Sequence, residues 1–324
     1  MSTYNIIKLK NITPLHIGKG KDFYDMLFDD VLSDMLSSAL ASIRVNIKGM
    51  ADDVETFMDS FCLSSAFPFY KEEYYLPKPK GRISIGIDEK YRKKLKKIKY
   101  VEKSLFERIY IHGEMVNADK SQLAGELLTR KPLAEDEVLS TKGEVERVAI
   151  PRDGGSDAVP YFFEFKYYAS DAGLYCLTDA KGELFAELVE LFTILGQQGI
   201  GSDKNVGCGH FDVEPGTIEI ADVVSDDKLM LSMYIPTREE LSTIDLSKSS
   251  YQMLLRGGYM AGSENEAGRQ FLKKAVYMME SSSLLHSQQE LKGRIVNLRN
   301  TFSNHDIFRS GKAFYLPIIN CRQS

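Results

Sequence analysis

The chain has 324 residues, 43% hydrophobic and 27% charged, the composition of a globular protein of about two domains at roughly 100–200 residues each. Its net charge of −5 excludes a protein coated in nucleic acid over its whole surface, but not one with a local basic groove. Four scattered cysteines without a CxxC pair argue against a zinc site or a disulfide framework. With no apolar signal core and no run near the ~20 residues of a membrane span, a cytoplasmic protein with no membrane partner is expected.

In chain order, "YNIIKLKN" (4–11) is apolar and β-branched enough for a first strand, ended by Pro14. "HIGKGKDFYD" (16–25) reads as a polar loop. Ser33 as N-cap, Asp34 in a first turn that favours negative charge, and the helical spacing of "MLSSALASI" (35–43) predict a helix. "FCLSSAFPFYKEEYYLPKP" (61–79), aromatic and punctuated by proline, predicts irregular strand and loop. "KYRKKLKKIKY" (90–100) holds seven Lys or Arg and no acid, and is either a phosphate-contacting patch or a solvated helix face.

From about 112 to 150 the sequence turns polar and mixed in charge, which reads as an insertion, a mobile hairpin or a helical excursion. "VPYFFEFKYYAS" (159–170) and "GLYCLTD" (173–179) look like two strands joined at Asp171–Gly173. "ELFAELVELFTILG" (183–196) is an amphipathic helix with Gly196 as its C′ residue, and "HFDVEPG" (210–216) closes as a strand. This is a βαββαβ order. Further strand-like stretches begin with "LMLSMYIP" (229–236). The expected fold is α+β: two ferredoxin-like (RRM-like) domains, residues 1–222 with the insertion and a glycine-rich loop between the second helix and fourth strand, and residues 223–324.

That loop, "GQQGIGSDKNVGCGHF" (196–211), holds five glycines, each costing roughly 0.5–1 kcal/mol in a regular element. It is not a P-loop, which needs Lys-Ser or Lys-Thr after its second glycine. Nor is it a dinucleotide fingerprint, which follows a strand and opens a helix, the reverse of the order here. Two readings stay open. One is a backbone cradle whose N–H groups form an anion nest, with Lys204 and Asn205 at its tip and Phe211 anchoring or stacking. The other is a tight helix–strand connection whose glycines only turn the chain.

"GIGSDKNVGCGHF" resembles the glycine-rich loop of the RAMP superfamily, the RNA-binding subunits of CRISPR effector complexes. "TPLHIGKG", "LSDMLSSALASI", "LSSAFPFYKEEYYLPKP", "ERVAIPRDGG", "AGLYCLTD", "LLRGGYM" and "FRSGKAFYLPI" are similar, in order along the chain, to landmarks of subunit four of the type III-A (Csm) complexes. The Pro-Gly-Ser-Ser-Leu-Lys-Gly motif usual in the backbone subunit and subunit five is absent. Met35, Ser202 and Pro151 depart from the subunit-four pattern.

The resemblance implies a non-catalytic subunit that binds the crRNA 5′ tag, touches the large polymerase-like (cyclase) subunit on one side and the backbone RAMP subunit on the other, and meets target RNA only indirectly. The RNA-contacting residues it implies are His16, Gly18, Lys19, Lys21, Arg152, Gly199, Gly201, Ser202, Lys204, Asn205, Gly207, Gly209, His210, Phe211 and Arg256. For Arg152 and Arg256 the alternative is a structural salt bridge. The insertion resembles in position a thumb hairpin that tips out a guide nucleotide, with Leu123, Leu127 or Leu128 as its wedge. No cofactor or metal is expected, since the His305-Asp306 dipeptide cannot complete a metal shell alone. The rival reading is a repeat-processing endoribonuclease with His16 as general base.

Overall fold

Neighbouring residues of a strand point to opposite faces, yet Ile6 and Ile7 of the first strand are both fully buried. The central sheet is therefore covered on both sides. The structure is a computed structural model and describes residues 1–18, 30–49, 52–81, 85–134, 137–149, 157–258, 272–301 and 305–319.

The chain runs through β1 (Ser2–Lys10), α1 (Ser33–Lys48), α2 (Val54–Asp59), β2 (Phe67–Tyr70) and β3 (Glu73–Pro77). Next come β4 (Ile85–Gly86), α3 (Arg92–Lys97), β5 (Tyr100–Glu102) and α4 (Lys103–Phe106), which continues into a π-helical turn at Glu107–Ile111. The short strands β6 (Val116–Asn117), β7 (Leu123–Ala124) and β8 (Leu127–Leu128) precede a long pair, β9 (Ser140–Ala149) and β10 (Val159–Tyr168). β11 (Ala172–Thr178), α5 (Gly182–Gln198) and β12 (Asp212–Ile220) complete the first part.

The main sheet has the order β12-β1-β11-β2-β3-β5-β8-β7. Its first four members are the fourth, first, third and second strands of a βαββαβ unit, with α1 after the first strand and α5 before the fourth. β1 is paired antiparallel on both sides: Ile6 lies opposite Leu177 of β11 and Gly216 of β12. Everything from residue 71 to 171 is inserted between β2 and β11. This is far more than the expected 112–150, because 61–79 supplies two regular strands and the sheet continues through β3, β5 and β8. The strands around Asp171–Gly173 do not pair with each other: β10 pairs with β9, and β11 with β1 and β2.

On one face, α1 brings Leu36, Leu40 and Ile43, and α5 brings Leu188, Leu191, Phe192 and Leu195, against Ile7, Leu9, Leu174 and Cys176. Spacings of three and four put each set on one side of its helix. On the other face, Ile6, Tyr175, Leu177 and Ile220 share a core with Phe106 and Ile109 of the insertion and with Leu229, Leu231, Phe314 and Leu316. An RRM leaves that second face open for bases to stack on. Here it is closed, so the RRM-like expectation does not extend to an RNA platform on the sheet.

The C-terminal part holds β13 (Asp227–Met230), α6 (Arg238–Thr243), β14 (Met253–Arg256), β15 (Val276–Met279), β16 (Leu284–His286), β17 (Gly293–Asn297), β18 (Phe308–Lys312) and β19 (Tyr315–Pro317). They form a β16-β13-β19 sheet and two hairpins, β14–β15 and β17–β18. α6 carries a reciprocal cap, in which the Thr237 hydroxyl accepts from the Glu240 amide and the Glu240 carboxylate accepts from the Thr237 amide. Among the described residues α6 is the one helix of this part, where a second βαββαβ unit needs two. Residues on both sides of position 223 share one core, so that position does not divide two independent cores.

Two local expectations change. Leu32, not Ser33, caps α1; the Ser33 amide donates to Ser65 Oγ (3.1 Å) and its hydroxyl accepts from the Met233 amide (2.8 Å). α5 runs past Gly196 to Gln198 and is capped at Gly199 (φ 77°). Gly196 lies inside the helix, and a Cβ there would come within 2.2 Å of Phe211 O.

Candidate nucleic-acid interface

The loop between α5 and β12 is stitched to the loop after β1. Ser202 N–H donates to His16 O (2.9 Å), Gly209 N–H to Pro14 O (3.0 Å) and Thr13 N–H to His210 O (2.9 Å), while the Thr13 hydroxyl accepts from the His210 amide (2.8 Å). Inside the loop, Ile200 donates to Gly209 O (2.9 Å) and Phe211 to Gly196 O (3.2 Å). This close approach accounts for most of the glycines. A Cβ on Gly201 would fall 2.3 Å from His16 O, and one on Gly209 1.9 Å from Ile200 O. Both also have positive φ, 88° and 71°.

The two open readings of the loop thus divide it. Its stem is a tight connection whose amides, Gly201 apart, are spent on the chain itself. Its tip, Asp203 to Gly207, is different: Lys204, Asn205, Val206 and Gly207 are exposed, and nothing lies within 4 Å of the Cβ position of Gly207. Among the described residues, the amides of Gly201, Asp203, Lys204 and Asn205 carry no hydrogen bond. The nest narrows to this tip, beside the Lys204 ammonium.

The β9–β10 hairpin joins the same place. Leu15 and Lys166 exchange backbone hydrogen bonds (2.9 Å each way). The hairpin register puts Arg147, Val145 and Gly143 on one face with Tyr161, Phe163 and Phe165. That face covers the glycine loop: Phe163 and Phe165 pack with Cys208, and the Arg147 guanidinium lies 4.9 Å from the Phe163 ring centre and 5.5 Å from that of Phe165. Arg147 Nη1 donates to the carboxylate of Asp203, which holds a left-handed backbone (φ 59°) at the start of the tip. Burial works to lower the Arg147 pKa, but the Asp203 carboxylate and, behind it, Tyr161 together outweigh it and leave the guanidinium above its ordinary value. Burial, aided by Asp203, pushes the Cys208 thiol up, away from nucleophilic thiolate chemistry.

His16 is 1% exposed. Its ring stacks 4.0 Å from Phe163, and Nδ1 lies 2.7 Å from Glu164 O. A carbonyl only accepts, so Nδ1 carries the proton and the ring is fixed as a buried strut. Gly18 follows at the surface, its Cβ position 3.0 Å from His16 Nε2. His210 Nε2 sits 3.1 Å from Lys204 O and braces the tip. Phe211 is 6% exposed and packs in the helix-side core, so it anchors and does not stack on a base.

Arg256 takes the salt-bridge alternative: its Nε donates to Asp34 at 2.9 Å, with Arg309 on the same carboxylate. Lys19, Lys21 and Arg152 lie outside the described residues. Leu127 and Leu128 are buried in β8 and Leu123 packs beside them, so none is a wedge. In the basic run, Leu95 and Ile98 turn inward while Arg92, Lys93, Lys94, Lys96 and Lys97 face solvent.

Sequence reasoning missed Arg147, Asp203, Phe163 and Phe165 as site residues. The alternation in "STKGEVERVA" against "VPYFFEFKYY" could have revealed the hairpin. Among the described residues no three His, Cys, Asp or Glu side chains converge as metal ligands, and no helix is long and apolar enough to cross a membrane. What the site offers chemically is a cation and free amides on an exposed, well-braced tip.

The family model for the CRISPR Csm4 C-terminal domain matches residues 224–318. The CRISPR system Cms protein Csm4 of Thermococcus onnurineus (strain NA1) is 27% identical over 251 residues, covering 74% of this chain and 78% of that protein. A chain of the Csm1–Csm4 cassette in complex with cA4 superposes with a TM-score of 0.64 at 20% identity, covering 99% of this chain and 100% of its own. A chain of the Csm3–Csm4 subcomplex of the type III-A CRISPR-Cas interference complex gives 0.63 at 18% identity, covering 98% and 100%. The two structures share the α+β fold of this chain along nearly its whole length. The C-terminal domain and the curated relative point the same way: residues 224–318 match the CRISPR Csm4 C-terminal domain, and the chain as a whole is similar to Csm4 proteins of CRISPR systems.

Proposed function

We propose that the chain is the non-catalytic crRNA-binding subunit of a type III-A effector complex, holding the 5′ tag and bridging the large polymerase-like subunit to the backbone subunit in antiviral defence. The observation that carries this reading is the braced tip Asp203–Gly207, where Lys204 and unpaired amides stand together at the surface. The strand order β12-β1-β11-β2, with α1 and α5 on one face, supports reading the first part as a ferredoxin-like domain. The bridging role follows the relatives solved as Csm1–Csm4 and Csm3–Csm4 assemblies.

The closed sheet sends the RNA to the edge where the glycine loop, the loop after β1 and the hairpin meet. In this reading the β9–β10 hairpin, of which β9 falls within 112–150 and β10 beyond it, is the thumb, with Phe162 and Val148 as exposed apolar side chains toward its far end. No observation favours the endoribonuclease reading: its candidate base, His16, is sealed under Phe163 with Nδ1 committed to Glu164 O.

The test is a titration of labelled tag-containing guide RNA against a scrambled strand of equal length, using the chain with its large-subunit partner at several salt concentrations. Preference for the tag, with log affinity falling by about 0.7 per phosphate contact per log unit of salt, and loss of that preference in Lys204→Glu, are the expected results. Equal binding of both strands would remove the tag-binding role.

A further inference from the structure

The tip that offers Lys204 to an anion also carries a carboxylate on the preceding residue. Asp203 is the one acidic residue between Gly199 and His210. Successive Cα atoms are about 3.8 Å apart, well inside a screening length of about 8 Å at physiological salt. Left alone, Asp203 would cancel much of the attraction that Lys204 exerts on a phosphate. Yet Asp203 also builds the tip: its carbonyl accepts from the amides of Val206 (3.0 Å) and Cys208 (3.3 Å), and its left-handed backbone starts the turn. Asp and Asn tolerate that conformation better than other non-glycine residues.

Arg147 resolves the conflict. It reaches from the hairpin, 56 residues earlier in sequence, and bonds the Asp203 carboxylate. Its guanidinium is held over Phe163 and Phe165, a surface suited to a flat, weakly hydrated cation and less so to an ammonium. Phe163 in turn stacks on His16, whose carbonyl receives Ser202. The hairpin, the loop after β1 and the glycine loop are therefore tied to one another.

We propose that Arg147 is a positioning residue of the RNA site: by neutralising Asp203 it leaves Lys204 and the tip amides as the charge that a guide phosphate meets, and it ties the tip to the hairpin. This inference rests on the RNA-binding reading above.

The experiment compares the full chain, in complex with its large-subunit partner, as wild type and as Arg147→Gln, Asp203→Asn, Arg147→Gln/Asp203→Asn and Arg147→Lys, for tag-RNA affinity across salt. Arg147→Gln is expected to weaken binding about tenfold and to flatten the salt dependence by about one phosphate contact. Adding Asp203→Asn should restore affinity to within about threefold of wild type, since the uncompensated charge is gone. Asp203→Asn alone should bind as tightly as wild type or tighter, and Arg147→Lys should fall between.

A double variant no better than Arg147→Gln, or weaker binding by Asp203→Asn alone, would mean that the pair only shapes the loop, overturning the proposal while the RNA-binding reading stands. Unchanged affinity in Arg147→Gln would overturn it as well. A wild-type complex that does not prefer the tag would sink the underlying reading instead. If Arg147→Gln unfolds, which thermal melts by circular dichroism report, Asp203→Asn alone still decides, because asparagine keeps the left-handed turn.

Discussion

Asp34, fully shielded from solvent in the first turn of α1, accepts a hydrogen bond from Arg256 Nε at 2.9 Å across 222 residues of sequence. Arg309, itself 4% exposed, bonds the same carboxylate and also donates to Gly257 O at 3.0 Å. One anion thus fastens the first helix to two separate segments of the C-terminal part. Asp34→Ala leaves both guanidiniums without their counter-ion, and about 3–5 kcal/mol of unfolding free energy should be lost. Urea titration of the two proteins measures this, and a loss under about 1 kcal/mol would show that the pair is not a fastening. Replacing Asp34, Arg256 and Arg309 together by Leu, Met and Met should recover much of the loss.

Two glycines of the same loop should respond differently to alanine. Gly209 has φ 71° and a Cβ position 1.9 Å from Ile200 O, whereas Gly207 has φ 89° and open space. Gly207→Ala bears only the left-handed backbone, about 1–2 kcal/mol. Gly209→Ala adds a backbone collision, worth about 1–3 kcal/mol more. Melting temperatures of the pair of variants should fall in that order, and equal shifts would contradict the close-approach account of the stem.

Adjacent phenylalanines on the hairpin separate stability from binding. Phe163 is 4% exposed against His16 and Cys208, so Phe163→Ala should cost about 3–5 kcal/mol. Phe162, on the opposite face, is 53% exposed, and its alanine variant should melt within a degree or two of wild type. If the hairpin is the thumb, the Phe162 variant alone should lose order in the bound guide, read as increased 2-aminopurine mobility beside the hairpin. A destabilised Phe162→Ala would place that side chain inside the core.

Burial, aided by the Asp179 carboxylate, pushes the Cys62 thiol up to about 12. An unfolded thiol titrates near 8.5. Between those values the unfolded chain has lost its proton and the folded chain has kept it, so stability falls as pH rises above about 8.5. Cys62→Ser should show a shallower fall between pH 8.5 and 10 in denaturant titrations. Alkylation of native Cys62 at pH 8 should be far slower than in denaturant.

The backbone plan of the first part was legible. β1, α1, α5 and β12 each carry a complete local signal, an apolar strand run or an amphipathic period, and the structure keeps them within a few residues. The extent of the insertion was misjudged because β9 has no buried residue among those described and carries four charges in ten residues, so it reads as a strand only when set against β10, with which it pairs over ten residues. Leu127 and Leu128 sit in a two-residue strand at the far side of the sheet, too short to leave a period. The site was legible where it is local, at Lys204 and Asn205. It was illegible where it is built by pairing across the fold, since nothing in "GEVERVA" announces that Arg147 will meet Asp203. Asp34 taught the same lesson in reverse: a helix-start signal concealed a tertiary ion pair.

The pairing of β1 has a consequence for how the chain is made. β1, synthesised before both of its neighbours, takes a central place, with Ile6 beside Leu177 on one edge and Gly216 on the other. β11 begins only at residue 172 and β12 at residue 212. During that interval an apolar strand waits without partners, in a topology whose long-range closures are intrinsically slow. Nascent chains halted before residue 172 should therefore depend on chaperones, and chains halted beyond 220 much less so.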